Sequence, residues 1–160
     1  MNACSPPVRV LFVCRGNLCR SPMAMALLRH KVAHMAGAPY VLVESAGYHD
    51  WGPFPREAHP FARRAVAELV GADLLASHIA QHWHSDIVTS STCVVVAEEW
   101  MRADFSSNYV VSMRGLAGEC GDVVDPYGSD FSAFVECARL MERLISAGMP
   151  RLIGSGDYTG

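Results

Sequence analysis

The stretch VRVLFVCRGNLCRSP, residues 8–22, decides the fold of this 160-residue chain. Its first part, residues 8–13, is nearly all apolar and rich in β-branched residues, which is typical of a strand buried on both faces of a parallel sheet. At its end, Ser21 suits an N-cap and Pro22 a first helical turn, and a helical pattern covers residues 22–35. The stretch therefore predicts a strand, a tight loop and a helix in succession.

Strand and helix patterns alternate along the rest of the chain. The further predicted elements are strands at residues 40–43, 93–97 and 109–113 and helices at residues 60–70 and 98–105. A last amphipathic helix starts at Phe131, and Gly148 and Pro150 are expected to end it. This alternation predicts an α/β fold: a doubly wound, Rossmann-like, three-layer arrangement of about four parallel strands with helices on both faces.

The composition excludes several classes of protein. Apolar residues make up 51% of the chain and charged residues 18%, which excludes a disordered or collagen-like chain. The longest apolar runs, residues 10–14 and 93–97, are far shorter than the roughly 18 residues of a membrane helix, and Arg9 interrupts the only candidate signal segment. The net charge of −3 gives no overall basic footprint for nucleic acid. We therefore expect a cytoplasmic protein without membrane or nucleic-acid partners.

The chain also lacks signs of internal division, metal binding or a cofactor. Without repeats or linkers, residues 1–160 are predicted to form a single domain, with an ordered core over about residues 8–150 and a frayed tail at residues 154–160. Neither the cysteines nor the histidines have the spacing of a zinc site or a disulfide framework. The six cysteines are Cys4, Cys14, Cys19, Cys93, Cys120 and Cys137.

The loop between the first strand and helix, residues 14–21, has the residue types of an anion site, and we call it the cradle loop. Gly16 and Asn17 most easily take positive φ, which turns successive backbone N–H groups inward. The helix N-terminus adds partial positive charge, and Arg20 offers a two-pronged fork to phosphate oxygens. The cradle loop therefore predicts a phosphate-binding site.

Cys14 stands at the bottom of this predicted cradle. Because the donors that favour a bound dianion also favour a thiolate, Cys14 is predicted to be a nucleophile directed at phosphorus. The Cys-x5-Arg spacing alone is weak evidence, since Cys137 and Arg143 repeat it within the last predicted helix. Only Cys14 has a preceding strand, a nearby glycine and a following helix N-terminus.

The cradle loop resembles the signature loop of the low-molecular-weight protein tyrosine phosphatases, Cys-x-Gly-Asn-x-Cys-Arg-Ser-Pro. The family's Asp-Pro-Tyr motif has its counterpart at residues 125–127. Residues 45–47, followed by Trp51, and residues 77–80 resemble two further stretches of the family. The resemblance therefore covers nearly the whole chain, and it implies both the fold and a phosphatase activity.

The resemblance implies a role for each residue of the site. Asp125 acts as general acid and then as base, Cys14 carries the phosphoryl group, and Arg20 holds its oxygens. Trp51 and Tyr127 wall a slot for an aromatic ring. The remaining implied site residues are Arg15, Gly16, Asn17, Leu18, Cys19 and Ser21 in the loop, with Ser45 and His78 in a supporting network.

One implied cysteine pairing concerns regulation, and two differences from the family's usual sequence concern substrate recognition. By resemblance, Cys19 forms a protective disulfide with Cys14 when the nucleophile is oxidised. Arg15 stands where relatives often carry a smaller or apolar residue, so we expect a more positive rim that favours acidic phosphopeptides. Residues 97–101 replace a segment that commonly contains Met-Asp, which affects surface recognition rather than the chemistry.

Three alternative functions stay open. A thiol-dependent arsenate reductase has a similar fold but needs a relay of further cysteines, and no second cysteine closely follows Cys93. A protein-arginine phosphatase shares the mechanism, but those relatives carry threonine where this chain has Leu18. A non-enzymatic redox sensor or phosphate-binding module is disfavoured by the joint presence of Cys14, Arg20 and Asp125.

The expected partner is a tyrosine-phosphorylated protein. A single tyrosine follows the Asp-Pro pair of residues 125–126, a feature that resembles bacterial members of the family. That resemblance favours a bacterial tyrosine kinase of polysaccharide export as the physiological substrate.

Overall fold

The computed structural model describes residues 8–154, so that Cys4 and most of the predicted tail lie outside it. Its strands and α-helices are β1 (Val8–Cys14), α1 (Arg20–Ala33), β2 (Val41–Gly47), α2 (Pro60–Val70), β3 (Cys93–Val96), β4 (Tyr109–Ser112) and α3 (Phe131–Ile153). Three short 3-10 helices lie in the connections, at Ser85–Ile87, Glu99–Asp104 and Arg114–Ala117. Within this range no helix is long and apolar enough to span a bilayer.

The four strands form one parallel sheet in the order β2-β1-β3-β4. β1 pairs with β2 as far as Cys14↔Gly47 and with β3 as far as Val13↔Val96. Because the chain leaves β1 towards β2 and later enters β3 on the other side of β1, the winding reverses at the carboxyl end of β1. Cys14, the last residue of β1, lies at this point, where open α/β sheets bind ligands.

Helical segments cover both faces of the sheet, as predicted, although the three α-helices share one face. Val10 and Phe12 of β1 pack with buried side chains of all three α-helices. The alternate residues, Leu11 and Val13, pack on the other face with Met101 of a 3-10 helix. β1 is thus buried on both faces, which explains its almost uninterrupted apolar sequence.

Two predicted elements differ from the structure. β2 continues to Gly47 rather than ending at residue 43, because it stays paired with β1 to the end of that strand. The apolar pattern missed this half of β2, since it contains Glu44, which pairs with Arg9, and the buried Ser45. Residues 98–105 were expected to form an α-helix, but the turns there are 3-10.

The start of α1 is also a correction. α1 begins at Arg20, with Cys19 at the cap position, rather than after a Ser21 cap. The Ser21 side chain does not cap the helix, because its hydroxyl contacts the Cys14 thiol and the Asn17 amide. The residue predicted to start the helix therefore belongs to the functional site instead.

Gly148 and Pro150 do not end α3, contrary to the prediction. α3 continues to Ile153, and Leu152 and Ile153 are buried. An internal proline costs roughly 3 kcal/mol, which burial of two large apolar side chains at about 1.5–3 kcal/mol each offsets. Gly148 lies against Leu116, whose Cβ would be 2.7 Å from a Cβ at position 148. This glycine permits close packing within the helix rather than a helix end.

Candidate active site

The cradle loop lies at the carboxyl end of β1 and is held from the side by the chain that follows β2. The Tyr48 N–H donates to the Cys14 carbonyl at 2.7 Å, and the His49 N–H donates to the Arg15 carbonyl at 2.9 Å. A Cβ on Gly47 would lie 3.1 Å from the loop backbone. The loop therefore rests directly on the end of β2, and glycine at position 47 permits this approach.

Asn17 is the centre of a buried hydrogen-bond network beneath the loop. It has the predicted positive φ, 58°, and its amide nitrogen donates to Ser21 Oγ at 2.8 Å and to Ser45 Oγ at 2.9 Å. Its side-chain oxygen accepts from the Gln81 N–H at 3.0 Å, and its carbonyl oxygen accepts from His78 Nε2 at 3.0 Å. Burial lowers the pKa of His78, which favours a neutral imidazole. The structure thus brings the predicted supporting residues together around Asn17.

Gly16 does not take the positive φ that we expected of it. Glycine is required there for a different reason, since a Cβ would lie 2.6 Å from Trp51 Nε1. The Trp51 indole therefore packs directly on the loop backbone, and within the cradle loop the left-handed conformation is confined to Asn17.

The Cys14 thiol is buried at the floor of a pocket. Its Sγ lies 3.0 Å from Ser21 Oγ. Because the Ser21 hydroxyl accepts a hydrogen bond from Asn17, its own proton can point towards the sulfur or towards the Ala46 carbonyl 3.3 Å away. A hydroxyl that donates to sulfur stabilises a thiolate, so this arrangement suits a nucleophilic cysteine.

The Arg20 guanidinium is buried and lines the same pocket. Nη1 donates to the Val123 carbonyl at 2.8 Å, and Nη2 lies 3.3 Å from Glu98 Oε2 and 3.2 Å from Asp125 Oδ2. Nε has no hydrogen-bond partner in the part of the chain that the structure describes. A buried donor without a partner is unfavourable, so this N–H favours an acceptor that enters the pocket.

The pocket above these residues has a volume of about 330 Å³. Every predicted catalytic and substrate-binding residue except Asn17 and Ser21 lines it. Trp51 and Tyr127 are about half exposed, at 48% and 61%, on its wall. The Asp125 carboxylate accepts from the Tyr127 N–H at 3.1 Å, so the acid and the aromatic wall belong to one turn. The pocket combines a thiol, a guanidinium, a carboxylate and two aromatic walls.

One family model matches residues 9–152, that of the low molecular weight phosphotyrosine protein phosphatases. The chain belongs to this family. A probable low molecular weight protein-tyrosine-phosphatase, EpsP from Ralstonia nicotianae, is 32% identical over 92% of this chain and 97% of its own length. A protein-arginine-phosphatase from Geobacillus stearothermophilus is 31% identical over 87% and 92%. The crystal structure of a low molecular weight protein tyrosine phosphatase from T. tengcongensis matches with a TM-score of 0.79 and 26% identity, covering 91% of this chain and 99% of that one.

Glu98 is a residue of this phosphatase that the sequence analysis did not single out. Its carboxylate accepts two hydrogen bonds from Arg15, at 2.7 and 2.8 Å. These bonds and the Arg20 charge lower the pKa of Glu98 to about 2, and Glu98 raises the pKa of Arg15. The rim is less positive than Arg15 alone led us to expect, because the carboxylate compensates its charge. In the sequence, only the unusual composition of residues 97–101 hinted at this position.

Arg56 is a second such residue of the phosphatase pocket. It lines the cavity, and its guanidinium carbon lies 5.4 Å from the centroid of the Trp51 ring. This is the geometry of a cation–π contact, which holds the indole at the pocket mouth. Nothing in the spacing of Trp51 and Arg56 along the chain distinguishes this contact from a chance neighbour.

The second loop cysteine of this phosphatase, Cys19, is a buried free thiol, as is Cys14. Burial raises the pKa of Cys19, which disfavours its thiolate. A disulfide between the two stays a prediction. Mass spectrometry of peroxide-treated protein would detect it.

Within residues 8–154, no group of three or more His, Cys, Asp or Glu side chains is placed to hold a metal ion. Arg20 and the cradle loop supply positive charge and hydrogen-bond donors to this phosphatase site.

Proposed function

We propose that this protein hydrolyses phosphotyrosine in proteins through a cysteinyl-phosphate intermediate on Cys14. The observation that carries the proposal is the buried, unpartnered Nε of Arg20 in the same aromatic-walled pocket as the thiol. A phosphate oxygen satisfies this donor, while the tyrosine ring lies between Trp51 and Tyr127. The name of the Ralstonia relative, a probable protein-tyrosine-phosphatase, supports the same substrate class.

In the first step, the phosphate dianion displaces Asp125 from Arg20 and binds the cradle-loop N–H groups. The Cys14 thiolate attacks phosphorus, so that the S–P bond forms as the bond from phosphorus to the phenolic oxygen breaks. After it leaves Arg20, Asp125 binds a proton, which it gives to the departing oxygen as it becomes a carboxylate again. Its place at the pocket mouth, on the same turn as Tyr127, supports this role.

In the second step, a water molecule attacks the phosphorus of the intermediate. The Asp125 carboxylate takes the proton of the water, the new O–P bond forms, and the S–P bond breaks. The sulfur leaves with its electron pair as a thiolate, which the Ser21 hydroxyl 3.0 Å away stabilises. Arg20 holds the phosphoryl oxygens in both steps.

Phosphoarginine is the alternative substrate that a relative favours, because the 31% identical Geobacillus protein is named a protein-arginine-phosphatase. The resemblance implies threonine in those enzymes where this chain has Leu18, which lines the pocket. An aliphatic side chain offers no acceptor for a guanidinium, whereas it packs well against a phenyl ring. Leu18 therefore supports phosphotyrosine.

The arsenate-reductase alternative needs a relay of further cysteines on a mobile segment after the third strand, where Cys93 would be the first member. Cys93 starts β3 opposite Val10, four residues before Cys14 along β1, which corresponds to about 13 Å. Burial raises the pKa of Cys93 to about 11, which disfavours the thiolate that a relay requires. Both observations disfavour Cys93 as a relay cysteine.

The proposed physiological substrate is a bacterial tyrosine kinase of polysaccharide export, and the proposed location is the cytoplasm. The resemblance to bacterial family members supports the first proposal. The second follows from the need for a reduced Cys14, since thiols persist in a reducing compartment.

Phosphate release from three matched peptides tests the function. The peptides carry phosphotyrosine, phosphoserine or phosphoarginine, and the proteins are the wild type, Cys14→Ser and the buried-cysteine control Cys93→Ser. We expect the wild type and Cys93→Ser to release phosphate from phosphotyrosine alone, and Cys14→Ser to lose at least about 10⁴-fold in rate. Preferred release from phosphoarginine would overturn the substrate, and no release from any peptide would overturn the phosphatase reaction.

Asp125→Asn tests the acid. Its rate loss is expected to be about 10²–10³-fold for phosphotyrosine and much smaller for 4-nitrophenyl phosphate, whose leaving group departs without a proton. Equal losses for both substrates would contradict the acid role.

A further inference from the structure

Four aromatic side chains form a row that begins at the pocket wall and extends beyond it. The ring centroids of Trp51 and His49 are 6.0 Å apart, and those of His49 and Trp100 are 6.5 Å apart. Trp100 meets Tyr48 edge to face at 4.8 Å. We call these four residues the aromatic ridge. Trp51 lines the pocket and Trp100 does not, so the ridge reaches surface that the phosphotyrosine ring does not touch.

The aromatic ridge is hydrogen-bonded to the cradle loop. The backbone N–H groups of Tyr48 and His49 donate to the carbonyl oxygens of Cys14 and Arg15, and the Tyr48 hydroxyl donates to Asp104. The position of the ridge relative to the nucleophile is therefore set by hydrogen bonds at its base.

Trp100 lies in the 3-10 helix Glu99–Asp104, outside the cradle loop. Its side chain is 46% exposed, close to the 48% of Trp51, so both indoles present about half of their surface to solvent. Isolated exposed aromatic residues are common on proteins, but a contiguous row that leads out of a binding pocket is typical of an interaction surface.

We propose that the aromatic ridge binds an apolar side chain of the substrate protein, two to four residues from its phosphotyrosine. This inference rests on the proposed function and names a specificity determinant for it. An extended peptide advances about 3.4 Å per residue, and the ring-to-ring steps of 6.0 and 6.5 Å from Trp51 to Trp100 correspond to this range of positions. Trp100 is thus the residue that recognises the flanking sequence.

Arg56 lies over Trp51, at the pocket end of the ridge. At the Trp100 end, the charges favour an apolar rather than an acidic side chain. Arg15 lies 2.7 Å from Glu98, and Arg102 lies 3.1 Å from Glu99. Each of these cations is already paired, so an acidic substrate residue would have to compete with a carboxylate of the protein.

The test compares phosphotyrosine peptides that differ at one position. Leucine, alanine or glutamate is placed two, three or four residues before or after the phosphotyrosine, and kcat/KM is measured for the wild type, Trp100→Ala, Trp100→Phe and the exposed-aromatic control Tyr109→Ala. At one or more positions we expect about a five- to tenfold preference for leucine over alanine in the wild type. The preference should survive in Trp100→Phe and Tyr109→Ala and disappear in Trp100→Ala.

Hydrolysis of 4-nitrophenyl phosphate separates this inference from the proposed function. If the wild type fails to hydrolyse it, the proposed function fails first. If all variants hydrolyse it while the leucine preference is absent, or is unchanged in Trp100→Ala, the ridge does not bind the substrate. A preference for glutamate would likewise overturn the inference. The inference would also be wrong if the wild-type protein formed a dimer that the Trp100→Ala substitution dissociated without any change in peptide preference.

Discussion

The network beneath the cradle loop is buried and polar, whereas the rim of the pocket is half exposed and aromatic. Asn17, Ser21 and Ser45 are at most 2% exposed, and the Asn17 amide donates to both serines. Trp51 and Trp100, in contrast, are about half exposed. Losing one member of the network leaves buried polar groups unpaired, while losing a rim side chain mainly removes contact area. The comparison teaches that the support of the proposed nucleophile lies where substitution is unfavourable, whereas Asp125 and the aromatic walls lie on the more tolerant rim.

The strongest test of the buried side is Arg20→Lys. Lysine keeps the charge but lacks the fork, so we expect kcat/KM for phosphotyrosine to fall about 10³-fold, or about 4 kcal/mol. Steady-state kinetics measure this loss. The control is Arg143→Lys, an exposed arginine paired with Glu119, for which no change is expected. A loss below tenfold for Arg20→Lys would show that charge alone is sufficient.

Glu98→Gln tests how much the charge of Glu98, which lies between the buried network and the rim, contributes to stability. The pKa of Glu98 in the folded protein, about 2, is below its ordinary 4.5, so its contribution to stability is complete above pH 4.5 and is lost as the pH falls towards 2. We expect the variant to be about 3 kcal/mol less stable than the wild type at pH 7, with the difference vanishing near pH 2. Urea unfolding at several pH values measures this.

The matched control for that experiment is Glu119→Gln, since the partly exposed Glu119 carboxylate pairs with Arg114 and Arg143. Its removal is expected to have little effect at any pH, because solvent screens exposed pairs. If the difference in stability between the wild type and Glu98→Gln stays constant from pH 7 to pH 2, the electrostatic explanation is wrong.

The variants Asn17→Ala and Asn17→Gly separate the side-chain hydrogen bonds of Asn17 from its backbone conformation. Both variants lose the side-chain bonds to Ser21, Ser45 and Gln81, but glycine tolerates the positive φ. We expect alanine to destabilise the protein by about 2 kcal/mol and glycine by less, with both lowering kcat about tenfold. Thermal unfolding and kinetics measure these effects, and Asn108→Ala is the exposed control. Unchanged kcat in both variants would uncouple the network from the chemistry.

The smallest expected effect is at the rim. Trp51→Ala is expected to raise KM for phosphotyrosine about fivefold, or about 1 kcal/mol, with kcat nearly unchanged, because one stacking wall is lost. An aliphatic phosphate monoester should show no such change. If kcat falls instead, the indole also positions the cradle loop through its contact with Gly16.

The sequence predicted the order of strand, loop and helix at the cradle loop and the positive φ of Asn17, whereas the expected φ of Gly16 and the Ser21 cap were wrong. The cradle loop is local: its strand, loop and helix follow one another, and each residue type has its own conformational preference. Asn17 with its positive φ illustrates this. The failures outside the cradle loop have non-local causes. Gly148 lies within α3 because Leu116, distant in sequence, packs against it.

The pairing of Arg15 with Glu98 could not be predicted for the same reason. The two residues meet because Val13 and Val96 are partners in the sheet, so the chain segments that follow both strands emerge side by side. An apolar pattern predicts that both strands exist but not which strands are neighbours. The register of the strands brings distant chain segments together at the rim. The rim was therefore harder to predict than the loop.

The unpartnered N–H of Arg20 has a consequence for regulation by the product. Inorganic phosphate presents the same tetrahedral oxygens as the substrate and satisfies the same donor, so the pocket retains what it releases. At 100 times its dissociation constant, such an anion stabilises the folded protein by about 2.7 kcal/mol while it blocks the nucleophile. We therefore expect added phosphate to raise the thermal stability of the protein while it lowers the rate of turnover.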